Sequence, residues 1–111
     1  MTKPMPSDAP DSDGVFTAAA ELFGLLSTPV RLRIVVALGE GELNVSQLLE
    51  RVDATQPNLS QHLATLYRSG LLARRRLGAQ VLYRLAGDRA RMLCDAVLAE
   101  HDAASGATRG R

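Results

Sequence analysis

The chain has 111 residues, 46% of them hydrophobic and 23% charged, enough for one small domain and too few for a second core. Its apolar runs fall well below the roughly 18 residues of a membrane span, and its one cysteine excludes an intrachain disulfide or a Cys-pair zinc site within one chain. The net charge of +1 is the sum of two regions of opposite sign.

Residues 1–13 hold Pro4, Pro6 and Pro10 among polar residues and are expected to form a disordered arm. They lack the basic, apolar and small-residue pattern of an export signal, so a soluble cytoplasmic protein is expected. Val15 to Leu26, VFTAAAELFGLL, is Ala-rich and apolar over a broad face, the pattern of a helix. Thr28-Pro29 places a capping residue before a first-turn proline and starts a second helix, VRLRIVVAL, ending near Gly41. After a short extended link at Glu42-Leu43, Asn44 can cap a third helix, VSQLLERVD. Thr55 caps a fourth, QPNLSQHLATLYRSG, where Pro57 is tolerated in the first turn and Gly70 is a left-handed stop.

The period then changes. Leu71 to Leu77 and Gln80 to Leu85 read as two short strands about Gly78, with β-favouring Val81 and Tyr83 in the second. A last helix spans Asp88 to Ala103, and 104–111 are expected to be a disordered tail. The expected fold is mainly α with a small β-hairpin, in the order α-α-α-α-β-β-α. Two short helices joined by a tight turn, the second followed by a basic hairpin, make a winged helix-turn-helix over residues 14–103.

Asp53 and Asp88 bracket 34 residues that contain no Asp or Glu. Arg68, Arg74, Arg75, Arg76 and Arg84 give that stretch a charge of +5, against −4 for the rest of the chain. Such asymmetry is the electrostatic footprint of a polyanion partner, usually nucleic acid, although a solvated basic face leaves the same trace. Within the fourth helix, Leu59, Leu63 and Leu66 share the face that packs on the preceding helices. Asn58, Gln61, Thr65 and Arg68 fall opposite, with Ser60 and His62 on the flanks. A face of amides, hydroxyls and an imidazole without carboxylates suits base edges and phosphates, and Asn and Gln can pair bidentately with adenine. The N–H groups of the first turn, around Thr55 and Gln56, form a phosphate site. In the hairpin, alternation sends neighbouring side chains to opposite faces, so Arg74, Arg75 and Arg76 cannot all face one ligand. Arg75 or Arg76, plus Gln80, are the expected wing contacts; any one of these arginines could instead protect a strand edge from aggregation.

STPVRLRIVVAL, GELNVSQLLERV and TQPNLSQHLATLYRSGLLARRRLGAQVLYRL resemble the ArsR/SmtB family of bacterial repressors, over residues 15 to 103. The strongest pieces are Ser60-Gln61-His62-Leu63 and the wing ending Tyr83-Arg84-Leu85. The resemblance implies a homodimer built on the first and last helices, binding double-stranded operator DNA of dyad symmetry about one helical turn between recognition helices, roughly 34 Å. It also implies autoregulation, with release of the operator by an inducer.

The family's metal sensors carry Cys-Val-Cys at the start of the third helix, where this chain has Asn44-Val45-Ser46. Neither Asn nor Ser supplies a thiolate for a soft metal. A second family site, on the last helix, falls on Asp88, Ala90, His101 and Ala104, which leaves Asp88 and His101 as a reduced pair below the usual zinc complement. No metal or other cofactor is expected. Cys94 and His101 share a face of the last helix with Ala90, Leu93, Val97 and Leu98, the dimer face in the family. Cys94 is either a small buried hydrophobe, with His101 a polar rim residue, or a thiol acting across the dyad, aided by a positive neighbour. The chain also resembles the branch containing biofilm and sulfide-responsive repressors, in which cysteines of the second and last helices join. Val36 takes the second-helix position here, so one thiol cannot operate that intrachain switch.

No glycine-rich phosphate loop, nucleophile elbow or clustered His, Cys and acid points to an enzyme. The rival to a repressor is a dimeric protein-interaction module docking on an acidic partner. Against it, a protein interface should carry more aromatic or aliphatic anchors on the fourth helix. A further alternative is a metal-responsive repressor using the reduced last-helix site.

Overall fold

The computed structural model describes the backbone of residues 10–109 and the side chains of 14–101. Its elements are α1 (Pro10–Leu25), α2 (Pro29–Leu38), α3 (Val45–Arg51), α4 (Gln56–Arg68), β1 (Leu72–Leu77), β2 (Gln80–Leu85) and α5 (Arg89–Arg109). That is the α-α-α-α-β-β-α order of a winged helix-turn-helix.

Three side chains set where the middle helices begin. Thr28 Oγ1 accepts the Arg31 N–H at 3.1 Å, with Pro29 in the first turn. Asn44 and Gln47 form a reciprocal capping box: the Gln47 N–H donates to Asn44 Oδ1 and the Asn44 N–H to Gln47 Oε1, both at 2.8 Å. Thr55 Oγ1 accepts the Asn58 N–H at 3.3 Å. The end of α4 is as well defined. Gly70 takes φ +88, its N–H reaches Tyr67 O at 3.0 Å, and the Leu71 N–H reaches Leu66 O at 3.1 Å, a Schellman closure with apolar residues at both of its packing positions.

Helix limits are where the structure departs from expectation. α2 stops at Leu38 with Gly39 as its right-handed cap, and Gly41, at φ +145, belongs to the following turn. α1 begins at Pro10 and α5 runs to Arg109, beyond the limits of 14 and 103 expected for the domain. The expected disorder of residues 1–9 and 110–111 lies outside the described residues.

The core is built on α2, α3 and α4. Ile34, Val35 and Leu38, Leu48, and Leu59, Leu63 and Leu66 are buried together with Leu72 of β1. α4 shows a clean stripe, its three leucines at 0–1% exposure. The hairpin pairs Leu72 with Leu85 through Leu77 with Gln80, and Gly78, at φ +63, turns it. The link before α3 adds a third edge: Leu43 and Tyr83 exchange backbone bonds of 3.1 and 2.9 Å.

The outer helices are less well covered. α1 packs Leu22 and Leu25 partly against the core, the turn after it adds the buried Leu26, and Val15, Phe16 and Phe23 are left 58–73% exposed. The expected single dimer face of α5 is divided. Ala90 and Cys94 are buried in the protein's own core, because α5 lies along α2, whereas Met92, Val97 and Leu98 are exposed.

Leu63→Ala is expected to lower the free energy of unfolding by about 2–5 kcal/mol. Gly70→Ala, which forces an L side chain into the left-handed region, should cost about 1–2 kcal/mol. Urea unfolding checks both, and a Leu63→Ala loss under about 1 kcal/mol would contradict the assigned core.

Candidate nucleic-acid interface

The leucine stripe of α4 turns Asn58, Ser60, Gln61 and Arg68 to solvent, while Thr65 is half-buried. Thr55 and Gln56 stand exposed at the start of the helix. The expected row of free first-turn N–H groups is shorter than its helix position implies. Thr55 Oγ1 takes the Asn58 N–H, the Leu59 N–H bonds to Thr55 O, and Pro57 has none. Gln56 is left with the available N–H.

His62 does not join the outward face. The Arg31 Nε–H donates to His62 Nδ1 at 2.9 Å, and Arg31 Nη1 donates to Leu25 O at 3.3 Å. His62 is thus a strut between α4 and α2, and Arg31 extends the strut to the end of α1. An imidazole that accepts at Nδ1 is neutral and carries its proton on Nε2. Burial first, and then the charge of Arg31, hold the His62 pKa below its ordinary 6.5.

The wing arginines are divided among internal partners. Arg75 grips Glu42 bidentately, with Nε to Oε2 at 2.9 Å and Nη2 to Oε1 at 2.8 Å, and Arg84 Nη1 lies 3.9 Å from the same carboxylate. The Arg75 hydrogen bonds lower the Glu42 pKa. Arg74 stacks over the Tyr67 ring, 3.9 Å from its centroid, a cation–π contact that ties the wing to α4. Gln80 Oε1 accepts from Asn44 Nδ2 at 2.8 Å and keeps its own amide N–H groups. Arg68 and Arg76 are exposed and have no ion pair among the described residues. Tyr67, Arg74, Arg75, Arg76 and Val81 line one cleft, and strand alternation puts the free Arg76 on the same side of β1 as Arg74.

Of the expected wing contacts, then, Arg75 and Gln80 are engaged internally and Arg76 is free. Glu42, Arg31 and Tyr67 were missed. Each acts through a tertiary contact, 33 residues apart for Glu42–Arg75 and 31 for Arg31–His62. The only local hint was an acid in the extended link that alternation places beside a strand.

On α5, Cys94 is buried. Burial raises its thiol pKa, and the Asp95 carboxylate raises it further. The expected positive neighbour is replaced by a negative one, which disfavours the thiolate. Val36 and Cys94 do border the same groove. Asp88 lies 3.9 Å from Arg91 and His101 is exposed. They stand 13 positions apart, about 20 Å along the helix, so one protomer cannot close a site with both. No group of three or more His, Cys, Asp or Glu suited to a metal occurs among the described residues.

The depressed His62 pKa has a definite sign. Above the ordinary value of 6.5 the imidazole is neutral in folded and unfolded chains alike; below it the unfolded chain protonates first, and stability falls as pH drops through the folded value. The urea midpoint is expected to fall between pH 7.5 and 5.0. His62→Gln, which can accept from Arg31 without titrating, should fall less, and an equal fall in both proteins would refute the strut.

The pattern described as bacterial regulatory protein, arsR family, matches residues 28–74, from the α2 cap into β1. The biofilm growth-associated repressor of Agrobacterium fabrum is 40% identical over 83 residues, 75% of this chain and 71% of that protein. The crystal structure of the transcriptional repressor BigR from Xylella fastidiosa superposes with a TM-score of 0.73 at 38% identity, covering 84% of this chain and 93% of that one. The fold is also shared, at TM-score 0.74 and 24% identity over 92% of this chain and 94% of the other, with a homodimeric winged helix-turn-helix DNA-binding domain from Mycobacterium bovis. With 40% identity over 75% of this chain and 71% of the Agrobacterium fabrum repressor, the protein belongs to the ArsR family of bacterial regulatory proteins.

Proposed function

We propose that the protein is a homodimeric transcriptional repressor that binds double-stranded DNA at an operator of dyad symmetry in the cytoplasm. The observation that carries this reading is the outer face of α4, where Asn58, Ser60 and Gln61 are exposed without a carboxylate among them and are flanked by the unpaired Arg68 and Arg76. Asn58 and Gln61 read base edges in the major groove. Arg68, Arg76 and the Gln56 N–H hold phosphates or sugar edges. Arg75 serves to brace the wing on Glu42, and His62 to set the pitch of α4 against α2. Gln80, tied to Asn44, retains donors for a minor contact, and Thr55 acts as the cap.

Dimerisation is supported by the apolar side chains that α1 and α5 leave in solvent, among them Phe16 at 73% and Met92 at 62%, since exposed apolar surface marks interaction sites. The Mycobacterium bovis domain is homodimeric. Autoregulation and release by an inducer follow from the family resemblance, and regulatory binding rather than catalysis agrees with relatives that are repressors. The reading as a protein-docking module is weaker, because the one large apolar residue exposed on α4 is Tyr67, and Arg74 covers its ring.

The operator can be recovered by selection from a random duplex pool and binding followed by fluorescence anisotropy. Asn58→Ala or Gln61→Ala should cost about 1–3 kcal/mol in discrimination between the selected site and a scrambled one. Selection of no palindrome, or unchanged discrimination in both variants, would overturn the assignment of the readers. Arg76→Ala should weaken binding to both duplexes and reduce the slope of log affinity against log salt by about 1. Glu42→Gln should do the opposite, since it releases Arg75 to the phosphates; weaker binding in that variant would mean that the brace matters more than the freed charge.

A further inference from the structure

At the tip of the wing two side chains stand directly opposite one another. Leu77 and Gln80 form the last pair of the β1–β2 register, closed by Gly78 and Ala79, with Gly78 at φ +63. Such a pair shares one face of the hairpin, its Cβ atoms about 5 Å apart. Leu77 is 53% exposed and, among the described residues, is the one large apolar side chain left in solvent outside the helices. Neither partner carries a charge.

The orientation of the Gln80 amide is set by a chain of hydrogen bonds that starts at a backbone group. The Gln47 N–H donates to the Asn44 side chain at 2.8 Å, and only the oxygen of that amide can receive it. The Asn44 nitrogen is left to face the wing, where it donates to Gln80 Oε1 at 2.8 Å. The Gln80 oxygen is thereby turned toward Asn44, and its NH₂ group, on an exposed side chain, is turned away. The tip thus offers two N–H donors and a branched alkyl group, with no outward side-chain acceptor.

We propose that Leu77 and Gln80 read the minor groove beside each half-site and select A·T over G·C pairs there. In that groove A·T and T·A present acceptors alone, whereas G·C adds the guanine 2-amino donor. Gln80 donates to adenine N3 or thymine O2 in either orientation of the pair, and Leu77 packs against the groove floor. Against G·C, the amino group meets an alkyl chain and another donor, and a buried donor without an acceptor is the costly case. Arg76, beside Leu77, supplies a charge for the adjacent phosphate and does not tell pairs apart. Asn44 is a positioning residue, acting through Gln80. The inference rests on the repressor reading proposed above and extends it from α4 to the wing.

The test follows operator selection and places G·C or inosine·cytosine, one position at a time, outside the pairs read by α4. Inosine lacks the 2-amino group, so inosine·cytosine keeps the major-groove edge of G·C and carries the minor-groove edge of A·T. By fluorescence anisotropy the protein should bind the inosine duplex about tenfold more tightly than its G·C counterpart at a position beside each half-site, the effect of one unsatisfied donor. Leu77→Ala and Gln80→Ala should each cut that ratio to about threefold or less. Asn44→Asp keeps the helix cap but leaves only acceptors facing Gln80, which turns its nitrogen inward and its oxygen outward. The ratio should then fall toward one, a change that capping alone would not cause. A ratio below about twofold at every position, or an unchanged ratio in any of the three variants, would overturn the proposal while a selected palindrome kept the operator reading standing. Failure to select any duplex would remove that reading and this inference with it.

Discussion

Burial of Leu59, Leu63 and Leu66 along a single stripe of α4 constrains everything on the opposite side of that helix. Side chains at i, i+4 and i+7 leave no rotational freedom once the stripe is packed on α2 and α3. Asn58, Ser60 and Gln61 must then point outward whatever their chemistry. The polar face is therefore presented by the core rather than by its own interactions. Removing a buried leucine would redirect Asn58, Ser60 and Gln61 without touching them, because a helix that rotates carries its whole outer face with it.

Charge is distributed less generously than the residue count implies. Five arginines lie in the stretch without acids, but Glu42 draws in Arg75 and Arg84 and Tyr67 holds Arg74. Two, Arg68 and Arg76, have no ion pair among the described residues. Exposed ion pairs of this kind stabilise a fold only modestly, and their larger effect is on geometry. A hairpin of two strands is marginal by itself; here it is braced by the Glu42 carboxylate on one face, by the Tyr67 ring on the other, and by the Leu43–Tyr83 bonds at its edge.

Much of this architecture was written locally. Thr28, Asn44 and Thr55 mark helix starts because a cap is decided within three residues of itself, and Gly70 marks an end because its backbone sign is a property of that residue. Hydrophobic spacing gave the α4 face for the same reason. The candidate site was legible only in part. The outward residues of α4 follow from helix phase, but the loss of His62 to Arg31 and of Arg75 to Glu42 depends on pairings across more than 30 positions, which no local pattern encodes. The division of the α5 face, with Ala90 and Cys94 in the core and Val97 and Leu98 exposed, was hidden likewise, since that apolar face is continuous in sequence.

The closure at Gly70 has a mechanical result. Only Ser69, Gly70 and Leu71 separate α4 from β1, and Leu71 is fastened both to Leu66 O and, through its own carbonyl, to the Ala86 N–H. Helix and hairpin are therefore the two prongs of one stiff fork, unable to open or close on their own. Any accommodation to a stretched or bent duplex has to be made elsewhere than between these two prongs.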